Sequence, residues 1–221
     1  MTTTSPKTIP LLENGDRLSR HEFERRYTAM PYQKTGSNKA ELIEGIVYMA
    51  SPLRVRSHAQ PHVNIIGWLW TYQIANPDTI VADNPTVRLN LKNEPQPDVV
   101  MFIPGRGASI TEDDYIVGAP ELVVEIAAST VSIDLHDKKA AYCRNGVQEY
   151  IVWRTLDREI DWFSLQDGEY IRLESDDKGV IKSQIFPGLW LTVEAMLSGS
   201  MADVLAVLQA GLNLIDDRQI L

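Results

Sequence analysis

The chain has 221 residues, 44% hydrophobic and 23% charged, which suits one sizeable core and is small for two independent ones. Its formal net charge of −9 argues against a protein that coats nucleic acid through broad electrostatics. A single cysteine, Cys143, excludes an intrachain disulfide and a cysteine zinc cluster, and with no stretch near ~18 uninterrupted apolar residues and no basic-then-apolar N-terminal signal, a soluble, cytoplasmic protein without membrane partners is expected.

Residues 1–14, rich in Thr and Pro, read as a flexible lead-in to one domain over 15–221. Ser19-Arg20-His21-Glu22 has capping-box form, so a short helix is expected from Ser19. Pro31 to Asn38 reads as a polar loop, and Glu41 to Met49 as two short strand pieces bent at Gly45. Between Ser57 and Ala75, His62, Ile65, Ile66, Leu69, Tyr72 and Ile74 mostly recur at helical spacing, with Pro61 suited to a first turn. Thr79 to Leu91 reads as a strand or hairpin, and Gly105 to Ala108 as a loop without the context of a phosphate-binding glycine loop.

Two acids then interrupt apolar, β-branched runs. Asp98 opens Asp98-Val99-Val100-Met101-Phe102-Ile103, where Pro97 fixes the entry, and Glu125 falls inside Leu122-Val123-Val124-Glu125-Ile126. A buried carboxylate needs a partner or a metal. Mg²⁺ takes a few carboxylate oxygens and completes its shell with water and phosphate oxygens, so two acids on adjacent strands would suffice. The alternative is a strand-end Asp and an edge Glu facing solvent. If the two acids are neighbours their charges repel without a cation, and Asp98→Ala is expected to raise the metal-free thermal midpoint.

Ser129 to Asp134 is rich in residues that cap helices, and a helix is expected through Tyr142 to a stop at Asn145-Gly146. Asp134, Lys138 and Tyr142 share one face of it. That face either turns Lys138 towards the strand ends or leaves an Asp134–Lys138 surface pair, and local sequence alone favours the surface pair. Gln148 to Trp153 and Glu159 to Ser164 alternate like an antiparallel pair, Asp167-Gly168 signals a hairpin, Ile181 to Ile185 reads as a further strand, and Ala202 to Ile215 as a closing helix. His58 and His62 are four apart, yet Pro61 lies between them and no Glu follows the first, so zinc is not expected there and His62 reads as a helix-start residue near the site. The five tryptophans read as core or interface anchors. Lys34, Lys39, Arg54, Arg56 and Arg106 are either a small phosphate-contacting surface or ordinary solvated charges.

Taken together, Glu41-Leu42-Ile43-Glu44-Gly45, Gln96-Pro97-Asp98-Val99, Leu122-Val123-Val124-Glu125, Asp134/Lys138/Tyr142 and Gly146-Val147-Gln148-Glu149-Tyr150 resemble the Uma-type putative restriction endonucleases, a branch of the PD-(D/E)XK nuclease superfamily, over about residues 19 to 200. The resemblance implies an α/β (α+β) fold, a restriction-endonuclease-like mixed β-sheet flanked by helices in one domain. It implies a metal-dependent nuclease, with Mg²⁺ (or Mn²⁺ in its place) on Asp98, Glu125 and the Ile126 carbonyl. Lys138 would act as the catalytic lysine, with Glu41, His62 and Tyr142 supporting. The superfamily's usual lysine two places after the second acid is Ala127 here, and Lys138 looks like its replacement; the branch's Ser-Pro is Ala128-Ser129. DNA is the expected partner and a homodimer the expected assembly, since cutting two strands favours paired sites. A catalytically inactive binding protein and a hydrolase of small phosphoesters are the alternative readings.

Overall fold

The structure, a computed structural model, describes residues 9–30, 39–49 and 52–219, with side chains to 214. The expected polar loop 31–38, Lys34 within it and the first eight residues lie outside that description. Ser19 caps α1 (Arg20–Thr28) by accepting from the Glu22 N–H, as the capping-box pattern requires. Residues ahead of it are tied down in part, with Leu12 buried beside Phe23 and Leu42. β1 (Ala40–Ile43) and β2 (Ile46–Met49) form a hairpin whose turn residues Glu44 and Gly45 both have positive φ, the type I′ requirement.

The central sheet has six strands in the order β11-β10-β9-β8-β5-β3: β3 (Ile80–Asp83), β5 (Val99–Phe102), β8 (Leu122–Ala127), β9 (Glu149–Arg154), β10 (Glu159–Gln166) and β11 (Glu169–Arg172). All neighbouring pairs are antiparallel except β8 with β9, which are parallel and joined by a helical crossover. That crossover contains a π-helical segment, Ile133–Lys138, followed by α3 (Lys139–Asn145), which stops at left-handed Gly146.

Strand alternation sends opposite residues to opposite layers. Val99, Met101, Leu122, Val124 and Ile126 face one core, built with Ile65, Trp68, Leu69 and Tyr72 of α2 (Gln60–Ala75) and with Val204 and Leu208 of α5 (Met201–Gln219). Val100, Phe102, Val123 and Ala127 face the other, covered by Tyr142 of α3. Glu125 has the parity of Val123 and Ala127, and Asp98 that of Val100. Both acids therefore face the α3 layer.

Two expectations need correction. Thr79 to Leu91 is not a hairpin: after β3 the chain turns at Asn84-Pro85, and β4 (Val87–Arg88) leaves for a separate three-stranded sheet with β6 (Ala108–Ile110) and β7 (Ile116–Gly118). Pro85 withholds an N–H and restricts Asn84, so one ladder cannot continue through the pair. The strand expected over 181–185 is β12 (Val180–Lys182), paired with β13 (Trp190–Thr192), and a short α4 (Val193–Ser198) precedes α5. Among the described residues no helix is long and apolar enough to cross a membrane.

Candidate active site

β5 and β8 pair with Val99 opposite Val124, and one further step of that register sets Asp98 opposite Glu125. Directly opposed residues in an antiparallel pair hold their Cβ atoms about 4.5–5.5 Å apart. The ladder ends there because Pro97 cannot continue it, leaving an open gap at the strand ends. The Ile126 N–H points into this gap and donates to Asp98 Oδ2 at 2.7 Å. A strand residue projects its N–H and C=O towards the same edge, so the Ile126 carbonyl faces the gap as well. These are the acid, acid and carbonyl donors that a hard divalent cation takes.

Lys138 comes from the helical crossover. Its Nζ lies 3.0 Å from Glu125, 2.9 Å from Glu41 and 3.6 Å from Asp134, and the residue is 5% exposed. The surface pair favoured by local sequence is thus overturned: Asp134 and Lys138 do meet, but buried, because the apolar side of the crossover packs on the sheet and carries that face inward. Tyr142 donates to Glu125 at 2.8 Å, and Thr130 donates to Asp134 at 2.6 Å. Glu41 reaches the cluster from β1, which pairs with the Glu94 backbone, and it also accepts from the Gln96 N–H at 2.8 Å. His58 ends a second π-helical segment, Val55–Ala59, that leads into α2. Both π-helical segments supply buried polar residues to one place, a frequent association of that helix type with functional sites.

Asp98 is held on three sides, by the Ile126 N–H, by Lys39 at 3.4 Å and by His58 at 3.3 Å. Burial pushes its carboxyl upward, but the His58 hydrogen bond and the Lys39 and His58 charges outweigh this and leave it well below the ordinary range. The metal-free repulsion expected between the two acids is therefore already compensated on the Asp98 side. Glu125 behaves oppositely: full burial raises it to about 8, Lys138 opposes, and Asp98, Asp134 and Glu41 add to the rise. Lys138 is itself held above its ordinary value by the three carboxylates around it, against the effect of burial. Burial is the first cause at Glu125, and a charge imbalance around Lys138 adds to it. One ammonium faces three carboxylates, so the lysine keeps its proton and the surplus charge is relieved by protonating Glu125.

These side chains line a cleft of about 740 Å³. Lys39 and Arg54 stand on its wall, whereas Arg56 and Arg106 do not, so only part of the basic set in the sequence reaches it. Exposed Leu53 and Leu156 form its rim. His62 is near the acids as expected, with Nε2 3.0 Å from the Asp98 carbonyl oxygen and 3.0 Å from Asp83. Sequence reasoning missed His58 and Lys39 as partners of Asp98. The only signal for His58 was its spacing from His62, and Lys39 gave none beyond its place in the basic set. Of the tryptophans, Trp68 and Trp162 stack edge-to-face in the core, while Trp70 is exposed.

Comparison with known proteins adds two findings. The family described as "Uma2: Putative restriction endonuclease" matches residues 22–194. The fold is similar to the crystal structure of a putative nuclease belonging to DUF820 from Anabaena variabilis, at 16% identity and a TM-score of 0.60, covering 82% of this chain and 98% of that one. No curated protein matches.

Proposed function

The chain belongs to the Uma2 putative restriction endonuclease family, and we propose that it is a metal-dependent nuclease that hydrolyses phosphodiester bonds of DNA. The observation that carries this reading is the convergence of Asp98, Glu125, Lys138 and Glu41 on one cleft from β5, β8, the crossover and β1. Asp98, Glu125 and the Ile126 carbonyl would hold Mg²⁺, or Mn²⁺ in its place. The donor set fits: it is all oxygen, opens to one gap, and carries negative charge that Lys138 alone does not balance. When bound, the ion would supply Lewis acidity and a water of lowered pKa.

The protein's own groups do the rest. Lys138 is a point charge with three donors, held among the described residues by Glu125, Glu41 and Asp134. It would stabilise charge on a non-bridging phosphate oxygen as water attacks phosphorus and one P–O ester bond breaks. Glu41 holds the lysine from behind, and Tyr142 fixes one Glu125 oxygen so that the other turns to the gap. Lys39 and Arg54 on the wall suit the flanking phosphates. A homodimer would bring two such clefts to the two strands of a duplex.

The test is Mg²⁺- and Mn²⁺-dependent cleavage of plasmid, single-stranded DNA, RNA and a small phosphodiester, run beside Asp98→Ala, Glu125→Ala and Lys138→Ala. Cleavage of DNA by the parent chain and its loss in all three variants is expected. Activity on the small diester alone would replace the nuclease reading with a small-phosphoester hydrolase, and no activity on any substrate would leave a binding protein of nuclease fold.

A further inference from the structure

Next to the acid pair, and sharing Asp98 with it, lies a donor set whose two histidines hydrolysis, as described above, does not use. Ring nitrogens of His58 and His62 and a carboxylate oxygen of Asp98 all lie within 4.8 Å of one another, and all three residues are buried. His58 Nε2 stands 3.3 Å from Asp98 Oδ2. Ligands at ~2.0–2.1 Å from an ion in a tetrahedral shell are roughly 3.3–3.4 Å apart, so this pair is already at coordination spacing. The two rings meet edge-to-face with centroids 5.7 Å apart. A further oxygen is at hand, because Asp83 at the end of β3 places Oδ1 3.0 Å from His62 Nε2 while its side chain remains open to solvent.

We propose that His58, His62 and Asp98 form a second cation site, selective for a borderline transition ion such as Co²⁺, Ni²⁺ or Zn²⁺. Two imidazoles and one carboxylate suit those ions, whereas Mg²⁺ prefers the all-oxygen set at Glu125. Asp98 belongs to both sets and joins them. The π-helical segment at 55–59 makes the arrangement possible, since it carries His58 into register with His62 despite Pro61 between them. The site is a weak one. Among the described residues His58 Nδ1 is buried without a partner, and ligating histidines that lose such an outer contact lose about 10–100-fold in affinity.

This inference goes beyond the hydrolytic reading and is tested by binding, not cleavage. The full chain, stripped with chelator, is titrated with Co²⁺ and followed by visible d–d absorption, with the Mg²⁺-induced rise in thermal midpoint measured in parallel. The parent chain and Glu125→Gln should both develop the Co²⁺ spectrum. His58→Gln and His62→Gln should weaken Co²⁺ binding about tenfold or more and keep the Mg²⁺ response. No Co²⁺ spectrum in the parent chain, a spectrum unchanged in both histidine variants, or one lost in Glu125→Gln would overturn the proposal. If His62→Gln fails to unfold cooperatively, because His62 also holds the Asp98 backbone, His58→Gln decides alone. Absence of cleavage with the Co²⁺ results intact would count against the nuclease reading and not against this site.

Discussion

Replacing Lys138 by Met removes the one cation among Glu125, Glu41 and Asp134 while keeping most of the side-chain volume. Breaking a buried ion pair by deleting one partner costs about 3–5 kcal/mol, because the other charge stays buried without compensation. At roughly 2–4 °C per kcal/mol for a chain of this size, the midpoint should fall by on the order of 10 °C. The pH dependence has a definite sign. Glu125 is raised to about 8 from 4.5, so the folded state holds a proton that the unfolded state has released, and stability declines as pH climbs through that window. Without Lys138 the remaining carboxylates hold protons more tightly still, and each extra proton held adds about 1.4 kcal/mol of loss per pH unit. Thermal denaturation of Lys138→Met and the parent chain at pH 6 and pH 8, with and without Mg²⁺, reads all of this. The deficit should be larger at pH 8 and should shrink when Mg²⁺ is added, since the ion replaces the missing charge. Lys139→Met, which loses a partly exposed contact with the Phe163 ring and the attraction of Asp161 but none of the cleft carboxylates, serves as the control. Equal midpoints for Lys138→Met and the parent chain, or a deficit greatest at pH 6, would refute the charge imbalance from which the site is argued.

Asp98→Ala should lower the metal-free midpoint, opposite to the expectation from sequence, because it strands the Ile126 N–H and leaves Lys39 and His58 without their shared anion; a loss of about 1–3 kcal/mol in urea unfolding is expected. Glu94→Gln should flatten the decline of stability between pH 4.5 and pH 8, since burial and the neighbouring Glu24 raise Glu94 to about 8 against the pull of Arg88 and Arg20. Denaturant midpoints at the two ends of that range check it, and parallel slopes for variant and parent chain would count against it. Ca²⁺, another oxygen-seeking ion, should promote binding of a labelled DNA duplex, read by fluorescence anisotropy, and Glu125→Gln should abolish that promotion.

Much of this architecture was legible because its signals are local. The apolar run through 122–126, the alternation through 148–153, the Asp167-Gly168 turn and the capping box at Ser19 each need only a few neighbouring residues to be read. The acids stood out because each interrupts an apolar run. Whether Lys138 turned inward was not readable in that way, since an Asp134–Lys138 pair at helical spacing looks the same on the surface and in the core. The direction of that face depends on how the crossover docks between β8 and β9, a long-range property. Thr79 to Leu91 failed for the same kind of reason: its two halves have ordinary strand composition, but their partners, β5 and β7, lie further along the chain. Glu149 shows the converse. It sits in a motif shared with the nuclease family, yet it accepts from Ser183, the Gln184 N–H and the Trp162 indole on the far side of the sheet. Its part of the motif holds the fold and lies apart from the cleft.

The acidic charge of the chain stands as the chief objection to a nucleic-acid substrate, and the cleft supplies an answer at smaller scale. With Glu125 protonated, Glu41, Asp98 and Asp134 line it against Lys39, Arg54 and Lys138, and these charges balance. A single divalent ion that displaces the Glu125 proton would leave one net positive charge, at the point where a scissile phosphate must sit. The local field is then set by the ion and not by the sum over the surface. If the substrate is a nucleic acid, the net acidic charge of the chain disfavours a polyanion away from the cleft, so the strand is favoured where the cation is held. On this reading the acidic composition and the metal requirement describe one property: attraction for the substrate is confined to the loaded cleft and disappears when the ion leaves.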